Sequence, residues 1–393
     1  MRYFQYLTEA QEKDLFFKSP EHFDRFSDKQ ILANAIGPLL YMPATRSNIV
    51  EEIISNKNEG LIATAICLED AIGDNEVALA EQNLASEMVK LMAGIRSGVI
   101  EDLNIPLIFI RVRSPQQIKR IAELLGENLY VITGFILSKC NEENGAWYLD
   151  EIRQVNCRDR SRSLYAMPIL ETPDVIYKES RLQALVGIKR ILDENYDQVL
   201  NVRIGATDFS SLFGIRRGSD VTIYDIGVIR DCIADIVNVF GRADKGYVIS
   251  GPVWEYFTKN LTRVLKPQLR QTPFEVEFGA TQGVDKRKRL LDQYLDGLVK
   301  EVLLDKANGL HGKTIIHPSH IKPVQALNIV SLEEYLDASS ILSNDNGNVG
   351  VLNSKYGNKM NEIKPHTNWA NMINTKAKIY GVLNENHNFT SLL

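Results

Sequence analysis

Eight short apolar runs, most of them separated by longer stretches of helical periodicity, restrict what this chain can fold into more than any other feature. The runs fall near residues 39–42, 61–68, 107–112, 131–137, 163–170, 199–204, 246–250 and 314–316. Their length is that of buried strands, and apolar runs alternating with helical stretches are the pattern of βα units around a parallel sheet. Amphipathic stretches at 75–93, 115–125, 180–194 and 224–240 are long enough to be the crossover helices that parallel neighbours require. Eight such strands predict an α/β protein with a (β/α)₈ TIM barrel. The alternation by itself fits a doubly wound open sheet as well.

Three regions exceed a minimal barrel. Residues 1–36 read as a helical N-terminal extension, with Ser27 as a candidate N-cap for a helix over 28–35, and are expected to plug or cover the barrel bottom. The barrel domain is expected over 37–325, with a rim insertion of about 251–310 holding helices near 253–264 and 286–306. Residues 326–393 read as a lid or oligomerisation segment, with helices near 332–341 and 369–380 around the Asn/Gly-rich turn SNDNGNVG, the best candidate hinge.

Composition narrows the function classes. With 44% hydrophobic and 24% charged residues the chain is of ordinary globular type, and no apolar run reaches the ~18 residues that would span a bilayer. The N-terminal stretch carries acids where a secretory signal would be basic and apolar, so a cytoplasmic protein is expected. Cys67, Cys140, Cys157 and Cys232 are far apart, which argues against a zinc site or a disulfide framework and for buried or inert thiols. A net charge of −5 with interspersed signs offers no broad basic surface, so nucleic acid is not an expected partner, and Lys286–Arg289 reads as a solvated helix face.

Two carboxylates stand out. Glu171, in ILETPD, and Asp208, in RIGATDF, each follow a strand-like run. An acid at a buried strand end is costly to desolvate unless a cation meets it, and two in one barrel mouth would repel without one. Mg²⁺ suits such a pair, because it takes hard oxygen ligands and is usually held by one or two carboxylates plus water and substrate. The alternative for each is an N-cap or a loop ion pair.

With these segments in order, the chain resembles the citrate lyase β-subunit superfamily, also called the HpcH/HpaI aldolase superfamily, of Mg²⁺-dependent C–C bond lyases on trimeric or hexameric barrels. The resemblance runs from about Leu39 to the C-terminus. It is carried by LLYMPA, with Pro43 ending the first strand, and by LEDA, with Glu69 and Asp70 after the second. Arg111 in FIRVRSP, Glu171–Thr172–Pro173, the Gly205–Phe209 segment with Asp208, and GKTIIHP over 312–318 complete it.

The resemblance implies that Glu171 and Asp208 ligate Mg²⁺, that Asp70 and Glu69 hold its waters, that Arg111 grips the oxo-acid part of a substrate, and that Pro43 and Thr172 line the substrate. A Lewis acid beside a guanidinium is what cleavage of a C–C bond next to a hydroxyl needs, and a planar fork suits a carboxylate better than Lys does. An ion-pair role for Arg111 is the alternative. In the last motif His317 reads as a satisfied core or loop histidine, and Lys313 as a strand-end cap or a contact to an anionic ligand; catalysis is expected of neither. In relatives a C-terminal lid crosses to a neighbouring subunit and supplies an acid. Residues 359–369 resemble it, with Glu362 where an Asp is usual; an exposed helix-start carboxylate is the other reading.

There are departures. Ile36, Gly37 and Pro38 stand where many acyl-coenzyme A members have basic residues, and Ala44 replaces a common Gly. These, with the N-terminal extension and rim insertion, resemble a divergent bacterial branch often associated with stress-response gene clusters. The expectation is a cytoplasmic homo-oligomer, a trimer or hexamer, that makes or breaks a C–C bond in an oxo or hydroxy acid, free or as a coenzyme A thioester. The rivals are an oxo-acid aldolase with no thioester and a catalytically silent barrel acting as a binding subunit.

Overall fold

The computed structural model describes residues 1–54, 58–158, 163–257, 279, 282–283 and 295–393. These residues divide into two compact units, one made of Met1, Asp24–Tyr256 and Lys300–Ile321, the other of Arg2–Phe23, Phe257–Val299 and Lys322–Leu393.

The first unit is built on eight parallel strands: β1 (Pro38–Pro43), β2 (Ala63–Cys67), β3 (Leu107–Val112), β4 (Ile132–Leu137), β5 (Tyr165–Leu170), β6 (Val202–Ile204), β7 (Ile249–Ser250) and β8 (Lys313–Ile315). They pair in the order β7-β6-β5-β4-β3-β2-β1-β8. A parallel bridge between Gly251 and Lys313 brings the two ends of that order together, with the Gly251 N–H donating to the Gly312 carbonyl at 3.1 Å and the Thr314 N–H to the Gly251 carbonyl at 3.2 Å. The sheet closes, and the (β/α)₈ expectation holds over the open sheet. Closure buries both faces of every strand, which is why β2, β3 and β4 are buried at every residue and read as continuous apolar runs.

The crossover helices include α1 (Ile49–Ile54), α2 (Val77–Arg96), α3 (Pro115–Leu125), α4 (Glu142–Arg158), α5 (Arg181–Glu194), α6 (Gly227–Phe240) and α7 (Leu295–Ala307). In α3, Pro115 stands in the first turn and Ile118, Ile121, Ala122 and Leu125 form the buried stripe. Of the helix expected over 253–264, residues 253–257 carry no regular structure and the rest lies outside the described residues. Of the one expected over 286–306, the described part is α7, and the Lys286–Arg289 cluster lies outside the described residues.

Closure also explains GKTIIHP. Gly312 has φ +72° and a Cβ there would lie 2.5 Å from the Gly37 carbonyl oxygen, so the chain passes β1 only with glycine. Lys313 is fully buried, with Nζ 2.7 Å from Asp305 and 3.0 Å from Glu301 on α7. Glu301 also meets Arg217, and the Tyr224 hydroxyl donates to Asp305 at 2.7 Å. The lysine thus ties β8 to α7. His317 Nδ1 accepts the Ser319 N–H at 3.3 Å and fixes the turn 318–320.

In the second unit, helices Leu332–Ser343 and Ile363–Tyr380 share a core of Ala338, Ile341, Ile363, Ala370, Ile373 and Ala377. The expected Asn/Gly turn leads into a hairpin of Val351–Asn353 with Met360–Glu362. The last helix begins six residues before its expected start, because 363–368 continue the turn that Glu362 opens. Strand Phe16–Lys18 pairs antiparallel with Val382–Leu383, so Arg2–Phe23 counts with the C-terminal segment, while helix Lys29–Ala35, N-capped at Asp28 rather than Ser27, belongs to the first unit.

Candidate active site

Parallel strands in register deliver their last residues to one rim of the barrel, and there the sequence's acids and Arg111 meet. A cavity of about 540 Å³ opens among them, lined by Tyr41, Pro43 and Arg46 at β1, by Cys67 and Asp70 at β2, by Arg111 of β3 and by Glu171, Arg203 and Asp208 from β5 and β6 onward.

Arg111 is the hub. Its Nη2 lies 2.7 Å from Glu69 Oε2, 3.0 Å from Asp70 Oδ2 and 3.4 Å from Glu171 Oε1, and its Nε donates to Ser138 Oγ at 2.9 Å. It is only 8% exposed. Burial works against the charge, but Glu171 above all holds the guanidinium more firmly protonated than usual. Glu69 is buried, and burial with its hydrogen bond to Asp70 raises it above the usual carboxylate range. Burial would raise Asp70 too, yet Glu69, Arg111 and Lys139 together hold it below that range.

Glu171 is 4% exposed. Burial, opposed by Arg111 and reinforced by the Asp208 charge, pushes it up to about 8. Its Oε1 accepts the Lys139 N–H at 2.7 Å, whereas Oε2 accepts no hydrogen bond among the described residues. The backbone makes room for it: a Cβ on Gly205 would sit 2.3 Å from Glu171 Oε2, so the Gly of GATD lets this side chain lie across the start of the next segment. Asp208 stands in the first turn of helix Ala206–Leu212 and has no hydrogen-bond or ion-pair partner among the described residues.

Two oxygen donors with spare valence therefore share one cavity, and their mutual repulsion is what a cation would relieve. Among the described residues, no three His, Cys, Asp or Glu side chains group as a metal-ligand set. A hard divalent ion here would draw two protein carboxylates and complete its shell with water or substrate, which is how Mg²⁺ is commonly held. The residues fit that ion.

Lys139 escaped sequence reasoning. It stands one residue past β4, after Ser138, sits at φ +50°, donates its N–H to Glu171, and its ammonium meets Glu69 and, at 3.5 Å, Asp70. A left-handed lysine is strained, and such strain gathers where a site over-determines the backbone. The signal was available, since a charged residue just past a buried strand marks the rim as Glu171 does. Arg203 and Tyr41 were missed for another reason: they lie inside strands, where alternation shows a buried residue without telling whether it faces the cavity.

Of the residues expected to bind substrate, Pro43 and Arg111 line the cavity, while Glu69 is not among the lining residues and is ion-paired to Arg111. Thr172 is not among the lining residues; it is buried at the N-cap position of the short helix Pro173–Ile176, and its side chain makes no capping bond. Glu362 belongs to the second unit, exposed at the N-cap of the last helix, with its N–H bonded to His366 Nδ1 at 3.1 Å. Cys67, Cys140 and Cys232 are buried free thiols and Cys157 is exposed.

Comparison with solved structures supports the barrel fold. A citrate lyase from Burkholderia xenovorans superposes with a TM-score of 0.59 at 13% identity, over 91% of this chain and 96% of that one. The CitE protein of Mycobacterium tuberculosis, solved with magnesium, acetoacetate and coenzyme A, gives 0.48 at 17% identity over 87% and 98%. Native malate synthase of Haloferax volcanii gives 0.47 at 12% identity over 78% and 75%. No curated protein sequence matches the chain. The model of the C–C bond lyases of the TIM-barrel fold matches residues 30–382. The chain belongs to that family of C–C bond lyases.

Proposed function

We propose that this lyase is Mg²⁺-dependent and cleaves or forms the C–C bond next to the carbonyl of an oxo or hydroxy acid. The observation that carries the reading is the buried Glu171 carboxylate, left with a free oxygen beside the unpartnered Asp208 in the cavity that Arg111 also lines. Glu171 and Asp208 would hold the ion, which when bound supplies Lewis-acid polarisation of a substrate oxygen. Arg111, fixed by Ser138 and its carboxylates, presents a guanidinium that stabilises negative charge as it develops on the substrate. Asp70, about half exposed and ionised, is placed to accept the proton of a substrate hydroxyl. Lys139 and Glu69 hold Arg111 and Asp70 in register.

The thioester-free form of the reaction is favoured by one observation. Ile36, Gly37 and Pro38 are buried, and the Gly37 carbonyl accepts the Lys313 N–H at 2.8 Å, so that stretch offers no cation to a nucleotide phosphate. We assign the protein to the cytoplasm and to a trimer or hexamer in which Glu362 acts as a lid acid on a neighbour's site. Free oxo acids and acyl-coenzyme A thioesters, assayed with and without Mg²⁺, test the reaction: turnover should require the metal and vanish in Glu171→Gln and Asp208→Asn. Undiminished Mg²⁺ affinity in the double variant would remove the metal assignment.

A further inference from the structure

Arg203 is a second guanidinium in the same cavity, and none of the roles above uses it. It stands in β6, is 1% exposed, and lines the cavity together with Tyr41 and Thr314. Its Nη2 donates to Thr314 Oγ1 at 2.7 Å, its Nη1 reaches Asn201 Oδ1 at 3.4 Å, and Tyr41 is a further hydrogen-bonding neighbour. All three are neutral partners. Among the described residues no carboxylate comes within ion-pair distance of it, and its buried Nε has no hydrogen-bond partner.

This is an expensive arrangement to keep for stability alone. Burying an uncompensated charge costs several kcal/mol, and apolar residues of similar volume usually fill a barrel interior at no such cost. The first unit's other buried cations among the described residues show the contrast: Lys313 has Asp305 and Glu301, Arg217 has Glu301 and Glu255, Arg111 has three acidic side chains, Arg25 has Asp102 and Arg181 has Asp235. Only Arg203 waits for an anion among these six. Its depth is set by register. Arg203 pairs with Ile169, two residues before Glu171, so it lies two residues further into the barrel than Gly205, on which Glu171 rests. At ~3.3 Å per residue that is roughly 6–7 Å below the rim acids.

We propose that Arg203, with Tyr41 and Thr314, forms an anion subsite at the cavity floor that receives a second, distal carboxylate of the substrate. The inference rests on the oxo-acid lyase reading and deepens it: the substrate is a diacid, with its oxo-acid head near Arg111 and its far carboxylate on Arg203. A planar guanidinium matches a carboxylate's two oxygens, and the depth suits an acid whose carboxylates are separated by a few carbons.

The test compares diacids with monoacids of equal chain length: oxaloacetate with 2-oxobutyrate, 2-oxoglutarate with 2-oxopentanoate, and 2-oxoadipate with 2-oxohexanoate. Binding is measured by calorimetry on the full chain, with and without Mg²⁺. A charge-assisted contact predicts that, for at least one length, the diacid binds roughly 10- to 100-fold tighter. In Arg203→Met that preference should fall to near one while monoacid and Mg²⁺ affinities stay as they were, and Arg203→Lys should keep part of it. Because the charge is unpaired, Arg203→Met should melt no lower than the parent protein.

Equal affinity for diacid and monoacid at every length in the parent protein overturns the subsite, whatever the variants do. So does a preference that survives Arg203→Met, or competition by inorganic phosphate with none by diacids. The two readings fail separately. A diacid preference lost in Arg203→Met, in a protein that turns over no oxo acid, keeps the subsite and sinks the lyase substrate assignment. Turnover without any diacid preference does the reverse.

Discussion

Glu171→Gln in the metal-free protein should change the pH dependence of folding in a direction that a merely structural acid would not give. In the folded chain the Glu171 carboxyl is raised from the usual 4.5 to about 8, chiefly by burial. A group whose folded pKa lies above its unfolded one stabilises fully below the unfolded value and loses that contribution as pH rises through the folded value. The window is therefore pH 4.5 to 8. A difference of about 3.5 in pKa, at about 1.4 kcal/mol for each, sets a ceiling of about 5 kcal/mol on what is lost across it. Gln removes the titration while its amide oxygen can still accept the Lys139 N–H, so the backbone should hold.

Urea denaturation in chelator at pH 5, 6, 7 and 8 should show the variant gaining on the parent steadily, by a few kcal/mol at pH 8. His320 works in the opposite direction: burial lowers it to about 4, so its contribution is present above 6.5 and fades as pH falls toward 4. It is common to both proteins and cancels in their difference. Mg²⁺ at 100 times its dissociation constant should then return about 2.7 kcal/mol to the parent and nothing to the variant. Parallel pH profiles would refute the reasoning, since they would mean that Glu171 ionises as easily folded as unfolded.

Arg111→Lys keeps the charge and loses the fork; turnover should fall by roughly 10²-fold or more if the guanidinium grips the reacting acid, and near-parental steady-state rates would leave it only an ion-pair role. At the left-handed position 139, Lys139→Gly should be about 1 kcal/mol more stable than Lys139→Ala, because both lose the ammonium but only glycine sheds the strain; equal melting curves would contradict that. If Glu362 serves a neighbour, Glu362→Ala and Glu171→Gln proteins should each be inactive alone yet regain activity when unfolded and reassembled together. Mixed oligomers shown by mass measurement to be inactive would place the lid acid elsewhere.

The barrel was legible because strands buried on both faces cannot avoid being apolar throughout. Residues 107–112 and 115–125 could be read to the residue from that run and from a Pro-started amphipathic helix. The rim acids were legible too, because Glu171 and Asp208 stand at the ends of such runs, where a charge contradicts its surroundings. What the sequence by itself could not determine was anything that depends on which residues meet. Only closure of the sheet between Gly251 and Lys313 decided for a barrel over an open sheet. Only the fold brought the Lys139 N–H to Glu171. Arg203 is the sharpest case. In sequence it is a polar residue inside a short strand, and its lack of a countercharge exists only once eight strands have closed around it, since a charge is unpaired by its neighbours in space and not by those in the chain.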